Sequence, residues 1–116
     1  MNIGIKPSTL IAIAVGLSAA TLSMSSIAAD LDVALIIKDH RFEPSEIKVP
    51  ANQRVRLSVH NQDKSAEEFE SKSLKREKVI PAGAKAAILI GPLKPGRYEF
   101  FGEFHEATAR GVVVAE

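Results

Sequence analysis

Three carboxylates stand within four positions in Ala66-Glu67-Glu68-Phe69-Glu70, a fourth follows at Glu77, and a lone imidazole, His105, lies near the C-terminal end of the chain. Carboxylates with one imidazole form a hard to borderline donor set, suited to iron, manganese or copper(II) and poorly suited to copper(I). If the first segment is extended, Glu68 and Glu70 project the same way with Phe69 opposite, so the two can act as a pair. Carboxylates held together in partly desolvated surroundings repel one another, and their pKa values rise unless a cation compensates. That repulsion is the physical reason to expect a metal ion beside them.

The rest of the composition narrows the chemistry. There is no cysteine among the 116 residues, which excludes redox disulfides, thiol nucleophiles, iron–sulfur clusters and copper–thiolate centres. No glycine-rich phosphate loop occurs, and no serine or threonine has an evident histidine-based activation unit. His40, between Asp39 and Arg41, reads as an ordinary turn residue. His60 reads as an exposed residue on a polar strand face, and Glu99 as a solvated strand residue. The run Lys75-Arg76-Glu77-Lys78 reads as a solvated face.

These residues need elements to position them, and the pattern supplies strands. Leu31, Val33, Leu35 and Ile37 alternate with Asp32, Ala34, Ile36 and Lys38, a period of two. Phe42-Glu43-Pro44-Ser45 has turn chemistry, after which Ile47 and Val49 resume a short strand that Pro50 stops. Val55, Leu57 and Val59 alternate with Arg56, Ser58 and His60. Residues 61–78 are polar, with Phe69 and Leu74 as their only large apolar side chains, and read as a long loop, of a kind that is either functional or disordered. Ala86, Ile88 and Ile90 share one face of a later strand, Pro95-Gly96 makes a turn, and Tyr98, Phe100 and Gly102 share a face of the next. Val112 to Val114 close the chain. About seven short strands with turns between them, and no helical period, predict an all-β sandwich.

Residues 1–29 have the layout of a secretory signal peptide: Lys6, the apolar run Leu10–Leu17, and small residues up to Ala28-Ala29. The run is short of the roughly 20 apolar residues a membrane span needs, so cleavage and export to the periplasm are expected, with no membrane insertion afterwards. Residues 30–116 then form one small domain. Lys6 is the only charged residue of the leader, so the 15 basic residues become 14, equal to the 14 acidic. Nothing in that balance predicts a nucleic acid partner.

"FEPSEIKVPANQRVRLSVHNQD" and "VIPAGAKAAILIGPLKPGRYEFF" resemble, in order and spacing, the two halves of the cupredoxins, specifically the cupredoxin-like domains of bacterial periplasmic iron-uptake systems. The resemblance implies a Greek-key β-sandwich whose Glu67–Glu70 and His105 loops meet at one end. A blue-copper site in that frame takes a histidine after Asn61, then a cysteine, a histidine and a methionine on the last loop. Here the first falls within Glu67–Glu70, the cysteine position is Gly102, the histidine is His105 and the methionine position is Ala109. With one ligand of four retained, type 1 copper is excluded. Ala66-Glu67-Glu68-Phe69-Glu70 and Arg76-Glu77-Lys78-Val79 are similar instead to the acidic motifs of the iron-uptake members.

That resemblance implies a metal site of Glu68, His105, Glu70, Glu67 and Glu77, flanked by Glu103 and Glu106, holding an iron or copper ion. The implied role is to bind Fe²⁺, or Cu²⁺ in its place, and to assist iron oxidation. The implied partners are a periplasmic iron-binding protein and an inner-membrane iron permease. Two other readings stand beside it: a metal-free adaptor that binds a partner through its loop end, and a degenerate electron-transfer protein.

Overall fold

The computed structural model describes residues 30–116, together with residues 4, 14–16 and 18. The expected signal peptide therefore lies almost wholly outside the described residues. Nine strands follow: β1 (Leu31–Lys38), β2 (Arg41–Glu43), β3 (Glu46–Val49), β4 (Val55–Asn61), β5 (Glu67–Ser71), β6 (Arg76–Ile80), β7 (Lys85–Ile90), β8 (Gly96–Gly102) and β9 (Arg110–Ala115). A 3₁₀ turn, η1 (Glu103–His105), connects β8 to the loop before β9. The all-β expectation holds.

The strands form two mixed sheets, ordered β2-β1-β4-β7 and β3-β9-β8-β5-β6. β1 runs parallel to β4, and β3 parallel to β9, while the other pairings are antiparallel. Alternation along each strand sends every second residue into the space between the sheets. Leu35, Ile37, Leu57, Val59, Ile88 and Ile90 enter from one side, and Phe69, Ile80, Phe100 and Val113 from the other, all buried. At the centre Phe100 stacks on Phe69 with ring centroids 5.0 Å apart and meets the edge of Phe42, also at 5.0 Å. Phe69 and Phe100 are the largest fully buried side chains of the core. Gly111 is required at the partner position of Phe100 across β8 and β9, because a Cβ there would run into the Phe100 ring.

Two segments depart from the sequence expectation, which is why there are nine strands and not seven. The turn at Asp39-His40-Arg41 is a tight hairpin: Lys38 pairs with Arg41, and both intervening residues, Asp39 and His40, have positive φ. Such a two-residue connection matches the right-handed twist of its strands. Asp63 secures it, its carboxylate accepting the Asp39 and His40 amides at 2.7 and 3.0 Å. Phe42 then points into the core from β2, where the sequence suggested a turn.

The second departure is larger. Residues 61–78, expected as a long loop, contain β5 and most of β6. β5 lies between β8 and β6, with Phe69 opposite Gly102 on one side and Lys78 on the other. The charges in the sequence hide the strand, since its inward residues are Glu67, Phe69 and Ser71, of which only the ring is apolar. Ser71 replaces an apolar contact by hydrogen bonds, donating to the Glu99 carbonyl at 2.6 Å and accepting the Leu74 amide at 3.2 Å. Asn61 is buried at the end of β4 and ties the connection down. Its amide group donates to the carbonyls of Ser65 and Ile80 at 2.9 and 3.0 Å, and its oxygen accepts the Asp63 amide at 3.0 Å.

Candidate metal centre

β5 is the element on which the site is built. Because successive side chains of a strand face opposite ways, Glu67 and Glu68 leave the same backbone in opposite directions. Glu67 turns into the sandwich and Glu68 onto the outer face of the five-stranded sheet.

On the outer face, Glu68 and Glu70 stand two residues apart on β5, and Glu77 lies directly across from Glu70 on β6. Glu103 reaches the same place from η1, which continues the strand that pairs Phe101 with Glu70. One carboxylate oxygen from each of Glu68, Glu70, Glu77 and Glu103 lies within 4.8 Å of all the others. No lysine or arginine forms an ion pair with any of the four among the described residues. Glu68 is buried, at 8% exposure, although Glu77 and Glu103 beside it are exposed. Its carboxyl is pushed up to about 7: a proton shared with Glu77 contributes most, then loss of hydration, then the charge of Glu103. The Glu70 carboxyl is also raised, first by hydrogen bonding to Glu103, then by burial. A group of acids that retains a proton well above the ordinary carboxyl range is one that a cation would relieve.

On the inner face, Glu67 is 1% exposed and fully partnered. Its Oε1 accepts the backbone amides of Glu68 and Phe104, each at 3.0 Å, and its Oε2 lies 2.5 Å from Nδ1 of His105. An ionised carboxylate can only accept, so with Glu67 ionised it is Nδ1 of the imidazole that carries the proton and donates. One face of the His105 ring is covered by His40, whose ring stacks on it with centroids 3.5 Å apart and planes 13° from parallel. The hairpin that carries His40 is held there by Thr108, whose hydroxyl donates to the His40 carbonyl at 2.6 Å. The Glu67 carboxyl group occupies the space beside Gly102: a Cβ on Gly102 would lie 2.5 Å from Glu67 Cδ and 2.7 Å from Ala109 Cβ. Glu67, Gly102, His105 and Ala109 thus converge on one point at the end of the sandwich.

The expected ligand set is divided between these two places. Glu68, Glu70 and Glu77 come together on the outer face, joined by Glu103. Glu67 and His105 come together inside, bonded to each other. Glu106 is exposed and belongs to neither group. Of the histidines read as plain surface, His40 is exposed as expected and also stacks on His105, whereas His60 is half-buried on the outer face of the four-stranded sheet. Glu99 is exposed, as expected. The contribution of Glu103 needed the register of β8 against β5, although its place beside His105 marked it as a candidate. Of residues 67–70, within which the first-histidine position falls by sequence, Glu67 is the one that faces His105.

Comparisons with known proteins agree with this architecture. A uncharacterized protein of Rickettsia prowazekii (strain Madrid E), RP394, is 46% identical over 84 residues, covering 72% of this chain and 67% of that protein. Among solved structures, the metal binding domain of the Cu(I) exporting P-type ATPase CopA from Streptococcus pneumoniae D39 superposes with a TM-score of 0.66 at 15% identity, over 73% of this chain and 84% of that one. Auracyanin A, a "blue" copper protein of Chloroflexus aurantiacus, gives a TM-score of 0.66 at 10% identity, over 76% of this chain and 100% of its own. A purple cupredoxin from Nitrosopumilus maritimus gives 0.57 at 16% identity, over 73% and 100% respectively. At these identities the likeness is one of fold. The family model described as "Cupredoxin-like domain" matches residues 9–115. A chain with no cysteine has no thiolate from which to build a type 1 copper centre. By the extent of that match and by its architecture, the chain belongs to the cupredoxin-like domain family.

Proposed function

We propose that this chain is a metal-binding cupredoxin-like protein of a periplasmic ferrous iron-uptake system, taking up Fe²⁺, or Cu²⁺ in its place, through carboxylates. The observation that carries the reading is the outer-face quartet. Glu68, Glu70, Glu77 and Glu103 converge within 4.8 Å, and the buried member retains a proton up to about 7. Oxygen donors of this kind suit hard ions and discriminate against copper(I). They also hold Fe³⁺ more tightly than Fe²⁺, because the harder ion gains more from negative oxygen, so binding here would lower the potential of the Fe³⁺/Fe²⁺ couple and ease loss of one electron to an external acceptor such as dioxygen. In that role Glu68, Glu70, Glu77 and Glu103 bind the ion, and Glu68 releases its proton as the ion enters. The Glu67–His105 pair lies behind them. The resemblance to iron-uptake members supports a periplasmic iron-binding protein and an inner-membrane iron permease as partners.

Anaerobic titration with Fe²⁺, alongside Mn²⁺, Cu²⁺ and Cu⁺, tests the reading. Saturable binding of the three divalent ions that Glu68→Gln and Glu77→Gln each abolish supports it. Binding that survives both substitutions, or tight binding of Cu⁺ alone, overturns it. If no ion binds at all, the metal-free adaptor takes its place. That second reading has an observation of its own, since Phe104, beside Glu103, and Val79, across from Glu68, are apolar residues left about half exposed.

A further inference from the structure

We infer that Glu67 is the positioning residue of the outer-face quartet: a carboxylate facing away from the quartet sets the backbone from which two of its members project. This rests on the quartet being the metal site, and it assigns Glu67 and His105 a role other than ligation.

Glu68 and Glu103 come from elements with no covalent reason to stay together. Glu68 is on β5, and Glu103 begins η1, where β8 has ended and the ladder to β5 no longer holds the chain. The direct ladder between β5 and β8 consists of Phe69 with Gly102 and Glu70 with Phe101, and it stops at the residue before Glu103. Beyond that point, three bonds to one carboxylate take over. Oε1 of Glu67 accepts the Glu68 amide and the Phe104 amide together, so the residue after Glu103 and a quartet member share one oxygen. Oε2 holds the His105 ring at the far end of η1. The segment is closed behind by the Ala109 amide donating to the His105 carbonyl, and the Gly102 amide to the Ala109 carbonyl, both at 2.8 Å. Bonds to a charged acceptor are shorter and stronger than neutral ones, and this acceptor is 1% exposed, so water does not compete for it.

Gly102 is the second half of the device. Its φ of −94° suits any residue, so glycine is not needed there for backbone freedom. It is needed for space, because a Cβ would overlap the Glu67 carboxyl group and Ala109. A methyl group at residue 102 therefore displaces Glu67 without altering any carboxylate.

The test compares Glu67→Ala, Glu67→Gln, Gly102→Ala and Glu103→Gln in the full chain, with Mn²⁺ as the probe ion. Glu67→Ala and Gly102→Ala should each weaken Mn²⁺ binding by about 10–100-fold, the usual effect of removing a residue that orients a ligand. Glu67→Gln, which keeps an acceptor for both amides, should restore most of that loss. Combining Glu67→Ala with Glu103→Gln should weaken binding no further than the more damaging of the two alone. A metal-free readout accompanies it: the titration midpoint of Glu68, followed by carboxyl ¹³C NMR, should fall from about 7 in Glu67→Ala and Gly102→Ala, as it should in Glu103→Gln. Variants that lose thermal stability but keep the wild-type affinity and midpoint overturn the inference, as does full additivity with Glu103→Gln. If the wild-type protein binds no Mn²⁺, the proposed function fails, and the Glu68 midpoint alone decides whether Glu67 positions the quartet.

Discussion

Glu67 and Glu68 are neighbours in the chain and the same amino acid, yet the fold gives them opposite surroundings. Glu67 faces inward to a ring nitrogen and two amides, so its negative charge is matched by donors on every side. Glu68 faces outward to three further carboxylates and matches its charge by holding a proton. The difference shows that burial alone does not decide what an acid does, since both are buried. What decides is whether the side of the strand it faces carries donors or more acceptors. Inside, the sandwich satisfies its own carboxylate; outside, it gathers carboxylates that need something from solution.

The comparison between the faces of β5 can be broken most severely from the inner side. Phe69→Ala removes the ring between Phe42 and Phe100 and should lower stability by about 3–5 kcal/mol in denaturant unfolding, because the two sheets cannot close over the void. A loss under 1 kcal/mol would mean that the inner face is not packed as described. Ser71→Ala, two residues along the same face, leaves the Glu99 carbonyl and the Leu74 amide without their partner. It should cost about 1–3 kcal/mol by the same measurement.

The outer face should respond to pH and hardly to truncation. Folded Glu68 titrates at about 7 against an ordinary value of 4.5, and Glu70 is shifted in the same direction. Protonation therefore favours the folded state. That contribution is fully present below 4.5, and stability without metal should decline as pH rises through about 7. Metal affinity should climb over the same interval, as the proton ceases to compete. Thermal unfolding at a series of pH values, with and without Mn²⁺, checks both; a metal-free protein that gains stability across that interval would contradict the assignment. The smallest effect is expected for Glu70→Gln, which in the absence of metal should stay within about 0.5 kcal/mol of wild type at neutral pH. The same substitution should still weaken Mn²⁺ binding, and that contrast separates a metal ligand from a structural residue.

Much of the fold was legible before the structure. The period of two in β1, β4 and β8 follows from one face meeting the core and the other meeting water, and the turn residues between them set the class as all-β. β5 was not legible by the same rule. Its inward face carries Glu67 and Ser71, polar groups made acceptable there only by partners from His105, Phe104, Glu99 and Leu74, all distant in sequence. The β1–β2 hairpin was hidden likewise, because its turn depends on Asp63 more than twenty residues away.

The sequence by itself determined the chemistry available: no sulfur ligand from cysteine, a concentration of carboxylates in residues 67–77, and an imidazole on the last loop. Only the tertiary structure decided how those groups were shared out. Alternation on one strand separated Glu67 from Glu68, the register of β8 brought Glu103 to the acids, and the absence of a side chain at Gly102 let Glu67 reach His105. Each of these depends on which strand lies beside which, and that is fixed by the closing of the two sheets over Phe42, Phe69 and Phe100.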